Sequence, residues 1–230
     1  MNANGEFLPE RLPDDPLRIA ADWLEQARRE CAQPNPDAMV IATADGHGNP
    51  SARVVLCKEI VADPGYLIFF TNYASRKGLE LARRPRAAAV LYWDGLHRQL
   101  RIEGPVVKSP LDESDAYFAT RPWQRRIGAW ASRQSQPVES RRALLDAVAN
   151  AATRFGTPGL QGASADETCL DAQVPRPPHW GGYRLWSESV ELWVQGDYRI
   201  HDRAQWTRGL KPIDDHSFAG GAWTVTRLQP

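Results

Sequence analysis

The hydrophobic positions follow helical spacing near the N-terminus and cluster in short runs over most of the remaining chain. Asp15 followed by Pro16 predicts a helix start, because aspartate is a good N-cap and proline suits the first helical position. Apolar residues then recur at helical spacing: Leu17, Ala20, Ala21, Leu24, Ala27 and Cys31. This stripe predicts a peripheral helix that covers a larger core, and residues 1–14, which lack such a pattern, are expected to form a flexible arm.

Short runs rich in β-branched and aromatic residues predict strands through the centre of the chain. Residues 38–43 and 52–59 are joined by a turn-rich segment and predict a hairpin. Further strands are expected at 66–71, 86–93 and 99–107. Because only one short helix, at 75–83, interrupts the series, a parallel sheet is disfavoured and an antiparallel barrel or sandwich is favoured.

The second half of the chain predicts two helices and four more strands. Ser109 followed by Pro110 predicts a helix start, with the helix running to about residue 120, where Arg121-Pro122 ends it. A second helix is expected at 139–155, and residues 156–178 predict a flexible connection. The last strands are expected at 183–186, 190–193, 198–201 and 223–228. Strands at both ends of the chain predict a closed barrel, so residues 15–230 are interpreted as one domain.

Composition narrows the class of partner. The chain has 230 residues, 42% of them hydrophobic, which is enough for a substantial core. Lys plus Arg and Asp plus Glu both total 28, so net charge gives no reason to expect nucleic-acid or membrane binding. Cys31, Cys57 and Cys169 are odd in number and widely spaced, which argues against a disulfide framework and against a four-ligand zinc site. With no signal-like segment and no apolar run near the ~20 residues that span a bilayer, we expect a cytoplasmic protein.

Clustered cations point to local anion sites. Arg76 and Lys77 follow Ser75 at a predicted helix start, where the helix dipole disfavours positive charge, so a bound phosphate would stabilise them; two solvated charges beside a cap are the alternative. Arg53 and Lys58 flank an apolar strand and offer a second anion contact or ordinary surface cations. Because they are five residues apart, a regular strand would place them on opposite faces.

One further segment carries ionisable residues in alternation. Arg199, His201 and Arg203 are predicted to share one face of a strand, and this cationic face favours an anion site over a solvated edge. Common enzyme signatures such as G-x-G-x-x-G, the P-loop, H-E-x-x-H and G-x-S-x-G are absent from the sequence. The remaining histidines have no ligand-like spacing, and no metal is expected.

Together these segments resemble the FMN-dependent pyridoxine/pyridoxamine 5′-phosphate oxidases from about residue 15 to residue 230. The motifs that carry the resemblance stand in the family's order at residues 53–58, 70–72, 75–78, 117–118 with 121–122, 127–132, 134–135, 180–183 and 199–203. The resemblance implies a split antiparallel β-barrel, a homodimer with FMN at the subunit interface, and a small phosphorylated pyridine as substrate.

The resemblance also implies roles for individual residues. The FMN site would be lined by Arg53, Lys58, Phe70, Thr71, Arg76, Lys77, Gln99, Gln134, Ser135, Trp193 and Arg203. The substrate would be surrounded by Lys58, Tyr117, Arg121, Arg125, Arg199 and His201. Tyr117 and Arg121 would hold its phosphate, while Arg199 and His201 would act as the catalytic pair that positions the reacting carbon. The implied reaction oxidises pyridoxamine or pyridoxine 5′-phosphate with oxygen to pyridoxal 5′-phosphate and peroxide.

Three departures from the family pattern leave alternatives open. Arg125 stands where the family often has a small residue, and it either strengthens phosphate binding or indicates a different anionic substrate. The segment after Trp193 reads Val194-Gln195-Gly196, shifted by one from the family's Gln-Gly, and the stretch 156–174 is unusual. One alternative function is a flavin oxidase of the same fold that acts on a phenazine-like precursor. Another is a flavin- or B6-phosphate-binding protein without turnover.

Overall fold

The computed structural model describes residues 7–30, 33–158 and 173–230. Cys31, Cys169, the first six residues of the expected arm and residues 159–172 of the expected connection lie outside these ranges. The chain forms two compact units. The sheet unit comprises Met1–Phe69, Glu80–Lys108 and Tyr183–Pro230, and the helical unit comprises Phe70–Leu79 and Ser109–Gly182.

The described residues contain five α-helices and twelve strands, which confirms a mainly β protein with peripheral helices. The helices are α1 Pro16–Arg29, α2 Arg76–Arg83, α3 Leu111–Thr120, α4 Trp123–Ala131 and α5 Arg141–Arg154. The strands are β1 Ala38–Ala44, β2 Pro50–Leu56, β3 Glu59–Val61, β4 Tyr66–Asn72, β5 Arg86–Trp93, β6 Arg98–Lys108, β7 Trp180–Trp186, β8 Ser189–Val194, β9 Asp202–Thr207, β10 Leu210–Pro212, β11 Phe218–Gly220 and β12 Thr224–Leu228. No helix among them is long and apolar enough to cross a membrane.

The main sheet runs in the order β12-β9-β8-β6-β5-β1-β2, and each of these neighbouring pairs is antiparallel. Strand β6 changes partner along its length: Arg98 to Glu103 pair with β8, whereas Val106 to Lys108 pair with β7. Gly104 lies at the change, where a Cβ atom would stand 1.9 Å from the Trp186 carbonyl oxygen. Only glycine permits this close approach.

Alternation along the strands separates the two faces of the sheet. Ile41, Ala89, Ile102, Val190 and Trp206 lie in register across five strands, and all are buried. Helix α1 packs against β3 and β8 with its apolar stripe. Its start is the expected one, because the Asp15 side chain accepts the Leu17 N–H at 2.9 Å.

Several element boundaries differ from the sequence predictions. The prediction of a single strand at 52–59 is wrong, because β2 ends at Leu56. The Lys58 N–H then donates to the Ile68 carbonyl, where the pairing of β3 with β4 begins. The residue at the N-cap of α3 is Pro110, not Ser109. Helix α4 was not predicted, because Pro122 was interpreted only as a stop, whereas its extended backbone also serves as the N-cap of the next helix.

The expected strand 198–201 is also wrong. Asp197–Arg199 is a 3-10 turn in which Tyr198 and Arg199 have left-handed φ angles of 55° and 66°, and β9 begins only at Asp202. Gly196 approaches the Ile200 carbonyl so closely that a Cβ atom would lie 1.8 Å from its oxygen. This tight turn replaces the extended chain that the alternation of polar residues indicated.

Candidate active site

In the helical unit, the start of α2 holds a buried ammonium group. Lys77 is 7% exposed, and its Nζ donates to the Thr71 hydroxyl at 2.9 Å and to Gln134 Oε1 at 2.8 Å. Ser75 Oγ lies 3.3 Å from the same Nζ and accepts the Gly78 N–H. The serine therefore caps the helix, as expected for this motif, and the lysine is directed to a polar cluster instead of to solvent.

Aromatic rings stack beside this cluster in the same unit. The rings of Phe70 and Tyr117 lie 3.9 Å apart and nearly parallel, and Trp180 stacks on Phe70 at 5.5 Å. The guanidinium of Arg121 lies over the Trp180 ring at 4.6 Å. The stack gives a flat apolar surface with a cation fixed at one side.

A cavity of about 290 Å³ opens in the helical unit next to this cation. It is lined by Asn72, Arg121, Arg125, Gly128, Ala129, Ser132, Gln134 and Trp180. Arg121 Nη1 is buried and has no hydrogen-bond partner. Burial lowers the pKa of Arg121, and the positive charges of Arg125 and Arg126 lower it further, against an opposing effect of Tyr117. The cavity therefore presents positive charge for which the described residues supply no ion-pair partner.

In the sheet unit, three of the predicted cofactor residues lie side by side. Gln99 is the register partner of Trp193 across β6 and β8, and Trp193 is the partner of Arg203 across β8 and β9. The His201 ring lies 4.6 Å from the Trp193 ring, and His201 Nδ1 accepts the Gly196 N–H. In-register neighbours point to the same face, so amide, indole and guanidinium groups share one surface.

Three of the predicted cofactor-site cations of the sheet unit, Arg53, Lys58 and Arg203, have carboxylate partners. Glu191 is buried and binds Arg203 at 2.7 Å and Arg101 at 3.0 Å. Arg53 contacts Glu80 at 3.3 Å, and Lys58 lies 3.6 Å from Asp37. These ion pairs fix the orientation of the side chains in the fold.

The structure thus brings the predicted residues together only in part. The expected cationic face of Arg199, His201 and Arg203 is wrong, because Arg199 lies exposed in the turn before β9 and only Arg203 belongs to the strand. The expectation that Arg53 and Lys58 occupy opposite faces of one strand is also wrong, since the strand ends between them.

Sequence reasoning did not assign several residues that hold these sites. Glu80 and Glu191 anchor two of the arginines, and Trp180 carries the guanidinium of Arg121. Glu80 lies one helical turn after Lys77 on a predicted helix, and this spacing was the available signal. Glu191 gave no comparable signal, because its partners come from neighbouring strands. Among the described residues, no group of three or more His, Cys, Asp or Glu side chains could hold a metal ion.

Comparisons with known proteins show which family the chain resembles. A family model described as pyridoxamine 5′-phosphate oxidase matches residues 24–155, and one described as pyridoxine 5′-phosphate oxidase C-terminal dimerisation region matches residues 180–230. A pyridoxine/pyridoxamine 5′-phosphate oxidase of Paraburkholderia phytofirmans is 44% identical over 216 residues, which cover 94% of this chain and 89% of that protein. One from Maricaulis maris is 44% identical over 218 residues, covering 94% and 86%.

Solved structures show the same fold. PhzG from Burkholderia lata, in complex with tetrahydrophenazine-1-carboxylic acid, is 28% identical, covers 98% of each chain and has a TM-score of 0.78. A pyridoxamine 5′-phosphate oxidase-related, FMN-binding protein from Nostoc punctiforme has a TM-score of 0.63 at 16% identity, covering 94% of this chain and 98% of that one. The second likeness concerns the fold alone, and the two together confirm the predicted split antiparallel β-barrel class.

Proposed function

The chain belongs to the pyridoxine/pyridoxamine 5′-phosphate oxidase family, and we propose on this premise that it oxidises pyridoxamine 5′-phosphate, pyridoxine 5′-phosphate or both. Oxygen is the acceptor, pyridoxal 5′-phosphate and hydrogen peroxide are the products, and the amine substrate also consumes water and releases ammonia. The cofactor of the proposal is FMN, and the active form is a homodimer with FMN at the subunit interface. The match to a C-terminal dimerisation region at residues 180–230 supports the dimer.

The observation that carries the proposal is the cavity beside Arg121. A phosphorylated pyridine needs an aromatic surface for its ring and a cation for its phosphate. The helical unit offers both, since Tyr117 and Trp180 belong to one aromatic stack and Arg121 lines the cavity beside it. The buried Nη1 of Arg121 has no hydrogen-bond partner among the described residues. In the proposal, Tyr117 and Arg121 bind the substrate phosphate.

The donor groups present fit a flavin mononucleotide. Its phosphate needs cations and hydroxyl donors, and its ring system needs amide and indole groups. The helical unit supplies the proposed contacts Phe70, Thr71, Arg76, Lys77, Gln134 and Ser135, and the sheet unit supplies Arg53, Lys58, Gln99, Trp193 and Arg203. Lys77 is already held by the Thr71 and Ser75 hydroxyls and by Gln134, so this charge requires little reorganisation on binding.

The protein's own residues orient the substrate. Bound FMN supplies the redox chemistry, accepting the two electrons removed at C4′ of the substrate and passing them to oxygen. Lys58, Arg199 and His201 are the proposed contacts to the pyridine, with Arg199 and His201 positioning the reacting carbon. His201 is held by the Gly196 N–H and by the Trp193 ring, so the sheet unit defines the orientation of its imidazole.

A second candidate function is oxidation of a phenazine-like precursor by the same flavin chemistry. It is favoured by the likeness to PhzG, which covers 98% of both chains. The sequence identity of 44% to a pyridoxine/pyridoxamine 5′-phosphate oxidase, against 28% to PhzG, supports the B6 phosphates as our first proposal.

Product formation by the FMN-loaded protein in air tests the proposal. Pyridoxamine phosphate and pyridoxine phosphate are offered separately, and pyridoxal phosphate is followed by its absorbance while peroxide is measured in a coupled assay. We expect turnover of at least one substrate with peroxide in equal amount. Absence of turnover in protein carrying one FMN per chain would refute the B6 assignment and would leave two alternatives, oxidation of a phenazine-like precursor and binding without turnover.

A further inference from the structure

Two arginines at the cavity of the helical unit lack the ion pairs that several other described arginines form. Arg121 and Arg125 both line the cavity, and neither forms an ion pair with a described carboxylate. Other arginines of the same unit do form such pairs: Arg176 contacts Asp115 at 2.7 Å, and Arg142 contacts Asp146 at 3.0 Å. The remaining residues of the cavity lining carry no charge, so the local charge is +2.

The position of Arg121 makes this charge costly in the absence of a ligand. Its guanidinium lies over Trp180, and its Nη1 is shielded from water without an acceptor. A buried charged donor without a hydrogen bond destabilises a fold, as do two like charges that face each other. Both effects are reversed when an anion occupies the cavity.

The neighbouring Arg126 is also positively charged, but it does not line the cavity and its guanidinium binds backbone carbonyls instead. Its Nε donates to the Arg121 carbonyl and its Nη2 to the Ala119 carbonyl, both at 2.7 Å. Arg126 therefore caps the C-terminal end of α3 and holds the backbone of Arg121. Arg125 has no such hydrogen bond, and its side chain lines the cavity.

We propose that Arg121 and Arg125 form a two-guanidinium subsite for a doubly ionised phosphate monoester, and that Arg125 determines specificity for this dianion over a singly charged anion. The inference rests on the proposed function and adds Arg125 to it as the residue that determines specificity. A phosphate monoester carries a charge of about −1.5 to −2 at neutral pH, with a second pKa of about 6, and so matches two guanidiniums. A carboxylate would leave one of them uncompensated.

The test compares the FMN-loaded wild-type protein with Arg125→Gln and with Arg142→Gln, a control that removes an equally positive, exposed side chain of α5. KM and kcat are measured for the phosphorylated substrates between pH 5 and pH 8. For Arg125→Gln we expect KM to rise by about 10- to 100-fold, the range of a lost charge-assisted hydrogen bond, with kcat within about twofold. Wild-type KM should fall as pH rises through about 6, when the dianion forms, and this dependence should flatten in Arg125→Gln but not in Arg142→Gln.

Flavin content identifies which phosphate the subsite binds. The ratio of flavin to protein absorbance should be equal in all three proteins, because the subsite holds the substrate and not the cofactor. Loss of FMN from Arg125→Gln alone would overturn the inference. If the wild type oxidises the phosphorylated substrates, an unchanged KM in Arg125→Gln would overturn it as well.

A calorimetric titration with inorganic phosphate separates this inference from the proposed function. The titration remains decisive when the wild type turns over neither B6 phosphate. In that case the subsite is still supported if Arg125→Gln binds inorganic phosphate at least tenfold more weakly than the wild type and Arg142→Gln do. Equal phosphate binding by the three proteins overturns it.

Discussion

Replacement of Glu80 by glutamine tests whether the buried ion pair with Arg53 holds the sheet unit together. The Glu80 carboxylate is 6% exposed and contacts Arg53 Nη2 at 3.3 Å. It also accepts hydrogen bonds from the Ser51 hydroxyl at 2.7 Å and from the Thr43 hydroxyl. Glutamine keeps the shape of the side chain but removes the charge, and its NH2 group would face the donors that now point at the carboxylate.

The magnitude follows from the burial of both partners. Arg53 is only 20% exposed, so water replaces little of the lost interaction. Removing one partner of a buried pair typically costs about 3–5 kcal/mol. Because glutamine retains one acceptor oxygen, we expect a loss of about 3 kcal/mol in the free energy of unfolding, near the lower end of that range. With a urea dependence of about 2 kcal/mol per molar, the unfolding midpoint should fall by about 1.5 M.

Urea unfolding followed by tryptophan fluorescence provides the assay. Glu103→Gln is the matched control, because the pair of Glu103 with Arg101 is about half exposed and should contribute less than about 1 kcal/mol. The double variant Arg53→Gln/Glu80→Gln should recover about 2 kcal/mol relative to the sum of the single changes. A midpoint shift for Glu80→Gln no larger than that of Glu103→Gln would refute the reasoning.

Three further predictions concern the turn that contains Arg199 and the buried thiol of Cys57. Arg199→Ala should lower kcat by about 100-fold or more through lost orientation while FMN content is retained; equal loss of both would contradict the assigned role. Gly196→Ala should lower kcat at least tenfold, since its Cβ would lie 1.8 Å from the Ile200 oxygen, whereas Gly209→Ala, which meets nothing within 4 Å, should leave kcat unchanged. Burial raises the pKa of the Cys57 thiol to about 12, so about one thiol in 10⁴ is ionised at pH 8. Iodoacetamide should therefore modify Cys57 in urea but not in the folded protein, and rapid labelling of the native form by peptide mass spectrometry would contradict this.

Local sequence patterns predicted the elements whose boundaries depend on local interactions. The Asp15 cap defined the start of α1, and the run of apolar and aromatic residues at 86–93 defined β5 to the residue. The failures occurred where contacts distant in sequence determine the backbone. The exchange of partners after Leu56 depends on the Ile68 carbonyl, and alternation in the 199–203 segment gave no indication of the turn at Gly196.

The sequence allowed the residue types of the candidate site to be predicted, but not which of its arginines pair with a carboxylate. Local sequence patterns indicated Arg53 and Arg203 as anion contacts, and the family resemblance indicated Arg121 and Arg125. The fold distinguishes them, because Arg53 and Arg203 contact buried glutamates from the sheet unit, whereas Arg121 and Arg125 face a cavity without a described carboxylate. Sequence spacing cannot show this difference, since Glu191 reaches Arg203 only through strand pairing.

Arginines with a carboxylate partner and arginines without one can contribute to ligand binding in different ways. A guanidinium paired with a buried carboxylate is oriented before any ligand arrives, but its charge is largely neutralised, so it contributes geometry more than binding energy. A guanidinium without a carboxylate partner among the described residues, such as that of Arg121 over Trp180, attracts an anion more strongly. Its buried charge lowers the stability of the fold until an anion binds. Net discrimination among anionic substrates should therefore depend on the uncompensated pair. Of that pair, Arg125 is the more informative residue to change, because its side chain is exposed and its replacement disturbs the packing least.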